Sequence, residues 1–113
     1  MNLNRALALE RVGGDEELLR EIAVLFLEDY PSLMSKIQKA IVVNDACGLE
    51  RAAHSLKGSV ANFGSDAAYQ AALDLEQIGR SRNLEGVADA LAHLIAVMSY
   101  VCPELEALSA GAA

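Results

Sequence analysis

The sequence predicts an all-α protein: an antiparallel, up-down four-helix bundle with an N-terminal helical extension. Three observations point there. Apolar residues recur at helical spacing in four long segments. Alanine (20) and leucine (17) dominate while aromatics make up 4% and Trp is absent, a mixture that suits helices better than a sheet. Short connections rich in Gly, Asn, Asp and Pro separate the segments. At 113 residues the chain has room for one domain, spanning 1–113, with a bundle core over about 15–105 and a tail at 109–113 that should fray.

The elements follow in order. Residues 3–11 suit a short helix with Leu3, Leu7 and Ala6 on one face, ended by Gly13-Gly14. Asp15, Glu16 and Glu17 bring negative charge to the next helix start. Its stripe reads Leu18, Ile22, Leu25, Phe26, Leu33, Ile37, Ala40, Ile41 and passes through Pro31 almost in phase. Residues 15–43 are therefore one kinked helix or two with a tight break. Asp45 can cap the third segment, whose core positions are Leu49, Ala52, Ala53, Leu56, Val60 and Phe63. Gly64 stops it, and Ser65 or Asp66 starts a helix with Ala68, Ala71, Ala72, Leu75 and Ile78 inward. Asn83 can cap the last helix, with stripe Leu84, Val87, Ala88, Leu91, Leu94, Ile95, Met98, Val101, and Pro103 ends or kinks it.

Composition and motifs exclude several classes. Sixteen acids against nine bases, net -7, argue against general nucleic-acid binding and against an anionic membrane surface. No apolar run approaches the roughly 18 residues of a membrane span, and the N-terminus lacks a secretory signal. Cys47 and Cys102 lie far apart without a CxxC, which suits two free thiols in a reducing cytoplasm. GxxxxGK(S/T), GxGxxG, GxSxG and HExxH are all absent.

One stretch stands out: Ala53-His54-Ser55-Leu56-Lys57-Gly58, followed after five residues by Gly64. On a helical wheel the core positions of this segment cluster within about 100°, and His54 lies roughly 150° from their centre, facing solvent. Glu50, Arg51, Lys57, Gly58, Ala61 and Cys47 share that outer face. A mid-helix glycine outside the core costs about 1 kcal/mol relative to Ala, so Gly58 suggests that another molecule approaches there. Lys57, three residues on, sets an ammonium beside the imidazole, where it would complement a dianionic group on the ring. His93 lacks such company and reads as a solvated side chain. Glu50/His54 and Asp89/His93 face outward, which disfavours a metal-binding bundle; no metal site is expected.

The run A-H-S-L-K-G-x5-G resembles the signature of histidine-containing phosphotransfer (HPt) domains. The resemblance extends to Gly13-Gly14-Asp15-x2-Leu18-Leu19-x-Glu21-Ile22-x3-Phe26-Leu27-x3-Pro31 and to Leu75-Glu76 followed by Arg80, covering roughly 13–105. It implies that His54 accepts a phosphoryl group from a receiver-domain phosphoaspartate, or from a partner kinase, and passes it to a receiver aspartate. An ordinary imidazole is a good nucleophile near neutrality, with a pKa of about 6.5. Attack by Nε2 requires the proton on Nδ1 and an acceptor to hold it. His54 lies ten residues before Gly64 and Glu76 twelve after it, so antiparallel helices set the two at nearly one height. The family often has Glu or Gln there, so Glu76 is the expected orienting group; a surface pair with Arg80 is its alternative. Lys57 and Gly58 complete the phosphoryl environment, and Arg51, Ala61 and Arg80 are expected receiver-docking residues.

The resemblance also implies that the chain is no enzyme with its own ATP site. It needs no cofactor, and Mg2+ belongs to the partner receiver. The expected partners are a response-regulator receiver domain and a hybrid sensor histidine kinase, with no nucleic acid and no membrane. The chain is expected to be a cytoplasmic monomer, leaning to a free-standing protein over a piece of a hybrid kinase. A helical adaptor that binds a receiver or kinase without transferring phosphate is the alternative; the presence of His54 speaks against it. Asp15, Glu16, Glu17, Glu21, Glu28 and Asp29 are six of the sixteen acids and lie away from the His54 stretch in sequence, so the surface about His54 should be near-neutral to positive.

Overall fold

The computed structural model describes residues 2–111. Five helices follow one another: α1 (Arg5–Arg11), α2 (Glu16–Val42), α3 (Ala46–Ala61), α4 (Asp66–Ser81) and α5 (Val87–Ser109). Each of α2 to α5 packs against two others, α3 on α2 and α4, and α5 on α4 and α2, which closes the bundle. The short α1 lies against α2. The molecule measures 41 × 21 × 21 Å, and its long axis matches the ~40 Å rise of a 27-residue helix such as α2.

Side-chain caps fix four helix starts. Asn4, Asp15, Asp45 and Ser65 each accept from a backbone N–H three residues on, namely Leu7, Leu18, Gly48 and Ala68. Each such cap is worth about 1 kcal/mol over alanine. Gly64 ends α3 with φ +67°, and a Cβ there would stand 2.7 Å from Cβ of Asn4. Only glycine lets the N-terminal segment cross this turn, where the Asn4 amide donates to the Phe63 carbonyl at 3.0 Å. The same segment is tied to α5, because the backbone amides of Asn2 and Leu3 and the Asn2 side chain all donate to Glu104.

The structure resolves or corrects several sequence expectations. Residues 16–42 form one helix, with Pro31 on its exposed side. The stripe of α2 is displaced by one position in its first half. Leu19, Ala23 and Phe26 are buried, whereas Leu18 and Leu25 are 40% and 59% exposed. The paired leucines at 18–19 and the run 25–27 allow two registers, and Ala23 joins the one that stays in phase with Met34, Ile37 and Ala40. In α1 the buried residue is Ala8, and Leu7 is outside. Asn83 does not cap α5. It accepts from Glu85 N inside the connection at 3.0 Å, and α5 begins after Gly86, whose φ is 80°. Pro103 does not end α5, which runs to Ser109. Of the tail, 110–111 form a turn and 112–113 lie outside the described residues.

By length and composition alone α5 is apolar enough to cross a membrane, contrary to the expectation from apolar runs. Within the bundle its Leu94, Met98, Val101 and Leu105 are core residues. The core positions expected on α3 and α4 are buried from Leu49 through Leu75, Phe63 among them.

Candidate functional site

The site rests on how closely α3 and α4 approach. Gly79 faces the α3 backbone: a Cβ there would stand 2.7 Å from Glu50 N and 2.8 Å from Ala46 O. With no side chain between them the two backbones meet, and Glu76, one turn before Gly79, comes within reach of His54. Glu76 is 1% exposed, one of two buried polar residues besides the apolar core among the described residues. The imidazole of His54 stands out from α3 with its side chain 66% exposed.

Three cationic or donor groups converge on the Glu76 carboxylate. Oε2 lies 2.6 Å from His54 Nδ1 and 3.3 Å from the Arg80 guanidinium. Oε1 lies 2.7 Å from Lys57 Nζ. The Lys57 ammonium, with the His54 bond behind it, holds the Glu76 carboxyl below the ordinary range, against burial, which acts the other way. An ionised carboxylate can only accept. The proton of the shared bond therefore sits on Nδ1, and Nε2 is the ring nitrogen that faces away from Glu76.

Lys57 is drawn inward rather than left beside the ring. Its side chain is 17% exposed, paired with Glu76, and its ammonium stands 5.8 Å from the centre of the Tyr69 ring. Arg80 bridges two carboxylates, with Nε donating to Glu50 at 3.0 Å, and Arg82 pairs with the other Glu50 oxygen at 3.3 Å. Arg80 also heads the causes that keep the Glu50 carboxyl low. Arg51, exposed, lines the open hollow around His54 together with Glu50, Ser55, Glu76 and Arg80. Gly58 is exposed, and nothing lies within 4 Å of where its Cβ would be. Ala61, half-buried, ends α3 about two turns beyond His54 on the same face. The charged groups gathered here are Arg51, Lys57, Arg80 and Arg82 against Glu50 and Glu76, a positive excess on an acidic chain.

The expected residues His54, Lys57, Glu76 and Arg80 thus meet in one network. Glu76 contacts both His54 and Arg80, but as a buried carboxylate and not as the surface pair that was the alternative. Sequence reasoning missed Tyr69, Arg82 and the pairing role of Glu50. Glu50 carried a signal, lying four residues before His54 on the outer face. Arg82 carried none: it reaches Glu50 because it ends α4 in the left-handed conformation, φ 64°. Among the described residues no group of three or more His, Cys, Asp or Glu is placed to hold a metal.

The family model for the Hpt domain matches residues 21–111. The chain belongs to the Hpt-domain family. Its role is accordingly phosphotransfer within phosphorelays, and Hpt domains are modules without a kinase site. The crystal structure of histidine-containing phosphotransfer protein B (HptB) from Pseudomonas aeruginosa PAO1 superposes with a TM-score of 0.84, covering 93% of this chain and 91% of that one. At 19% identity that likeness shows the shared fold. No curated protein matches the sequence.

Proposed function

We propose that His54 is the phosphoacceptor of a phosphorelay intermediate. It takes the phosphoryl group from a receiver-domain phosphoaspartate and hands it to an aspartate of another receiver. The observation that carries this reading is the 2.6 Å contact between His54 Nδ1 and a buried, ionised Glu76 on an otherwise exposed imidazole. A buried carboxylate spent on a solvent-facing ring makes sense where that ring must be held in one tautomer and one orientation.

The Nε2 lone pair attacks phosphorus, and the P–O bond to the aspartyl carboxylate breaks with its electrons leaving on that carboxylate. Nδ1 keeps its proton throughout. The ring becomes cationic as the P–N bond forms, and Glu76 is its counter-charge. Transfer onward is the reverse sequence on a second aspartate. Lys57 neutralises Glu76 in the resting state and lies one turn from the ring, so it can turn to the phosphoryl oxygens once these arrive. The open space over Gly58 suits the close approach of a partner backbone. Arg51, Ala61 and Arg80 border that approach as docking residues. Mg2+ acts in the receiver, and a hybrid sensor histidine kinase stands upstream.

The test is incubation with a panel of phosphorylated receiver domains. His54 should become labelled with an acid-labile, alkali-stable adduct, and His54→Gln should remove the label. A label that survives His54→Gln sinks the assignment, and stable receiver binding without label would favour the non-transferring adaptor.

A further inference from the structure

The cations of this chain are unevenly used. Of nine Lys and Arg residues, Arg5, Arg20, Lys57, Arg80 and Arg82 pair with carboxylates. Among the described residues, Arg11, Lys36, Lys39 and Arg51 form no such pair. Three of those four line a single groove between α2 and α3, of about 410 Å³, alongside Leu33, Val43 and Ser55. The one carboxylate at the groove, Asp45, is engaged in capping α3 through the Gly48 amide. Lys36, Lys39 and Arg51 are all exposed.

The groove is continuous with the hollow at His54, because Arg51 and Ser55 line both. The charge of α2 is also divided. Glu16, Glu17, Glu21, Glu28 and Asp29 precede Pro31, whereas the half after it carries Lys36 and Lys39 and no acid. Sixteen acids were available to neutralise these cations. Leaving three together unpaired adds self-repulsion, which an arriving anion would relieve.

We propose that the α2–α3 groove is the docking surface for an acidic segment of the receiver domain that meets His54, with Lys36, Lys39 and Arg51 as its charge contacts. The proposal rests on the functional reading above and adds the partner's chemistry and its orientation. Arg51 offers a planar fork for a carboxylate and the lysines offer point charges. Leu33 and Val43 take the apolar parts of the same segment. The acidic first half of α2 repels that segment, so one end of the helix attracts the partner and the other turns it away. Such an arrangement acts chiefly on encounter and register.

The test uses a receiver domain that labels His54, and compares Lys36→Glu/Lys39→Glu with the unaltered chain. The control is Arg11→Glu against single Lys39→Glu, which change net charge equally. The double variant should raise the half-saturating receiver concentration at least tenfold and flatten its dependence on salt. Arg11→Glu should stay within twofold, and labelling of His54 by the small donor phosphoramidate should be unchanged in every variant. Equal effects of Arg11→Glu and Lys39→Glu would mean that overall charge alone matters, and would overturn the proposal. So would an unaltered half-saturation, or a parallel loss of phosphoramidate labelling, which would place the lysines' effect on the ring. Absence of label from every receiver overturns the functional reading and this one with it; label with indifferent lysines overturns this one alone.

Discussion

Removing the Glu76 carboxylate tests the centre of the site. The bond from His54 Nδ1 to Glu76 is 2.6 Å long and charge-assisted. Hydrogen bonds to charged groups contribute about 1.5–3 kcal/mol, neutral ones about 0.5–1.5. At about 1.4 kcal/mol per factor of ten, the carboxylate biases the ring toward the reactive tautomer and orientation by roughly ten- to a hundredfold. Glu76→Gln keeps the size and a neutral acceptor and loses about 1 kcal/mol of that bias, so phosphoramidate labelling should slow about fivefold. Glu76→Ala loses all of it and should slow labelling about ten- to a hundredfold. Small-donor labelling reports ring chemistry without docking, and nitrogen-15 NMR of the imidazole reports the tautomer directly. Both variants leave Lys57 without its carboxylate. Its side chain is 17% exposed, so part of that charge reaches water and the stability loss should stay below the about 3–5 kcal/mol of a fully buried broken pair. If Glu76→Ala labels within twofold of the unaltered chain while its His54 spectrum shows the same tautomer, the orienting role is refuted.

Three further outcomes are expected. Gly79→Ala places a methyl group 2.7 Å from Glu50 N and must part α3 from α4; a loss of about 1–3 kcal/mol in urea unfolding is expected, and an unchanged midpoint would contradict the close approach. Gly58→Ala fills open space on an exposed helix face, so the fold should gain about 1 kcal/mol while phosphoramidate labelling holds and receiver-dependent labelling falls; equal receiver labelling would remove the role given to that opening. The folded-state carboxyl of Glu76 is held low, so its contribution is complete above the ordinary carboxylate range and fades as pH falls through the folded value. Acid titration of stability should therefore converge for the unaltered chain and Glu76→Gln at low pH, and a constant gap down to full protonation would contradict the lowered value.

The α3–α4 hairpin was legible nearly residue by residue, because its apolar positions fall at clean intervals and polar residues flank each one. The height of Glu76 opposite His54 followed from counting about Gly64. The first half of α2 was not legible to the residue, since adjacent leucines satisfy two registers and only packing chooses. At Pro31 the sequence left one kinked helix or two open, and at Pro103 an end or a kink; in both places the helix continues. Each lies on an exposed side of a long helix, where loss of one hydrogen bond is outweighed by the core face continuing beneath. The inward turn of Lys57 was hidden because it depends on a buried anion from another helix. The groove of Lys36, Lys39 and Arg51 was hidden because its cations come from two different helices and meet only through their packing.

The ties at the chain's beginning have a kinetic meaning. Asn2 and Leu3 bind Glu104, and Asn4 binds the Phe63 carbonyl, so beyond its contact with α2 the N-terminal segment is fully held only once the α3–α4 turn and α5 are both in place. Closing the chain over some hundred residues is entropically costly, whereas α3 and α4 meet across a short turn. The segment should therefore dock last in folding and open first in native-state hydrogen exchange, as a separate cooperative unit. Its opening would uncover Ala8 and the underside of Gly64 at the turn, and leave the carboxylate–imidazole pair halfway along α3 intact. The protein can thus fray at its start and still present a poised His54.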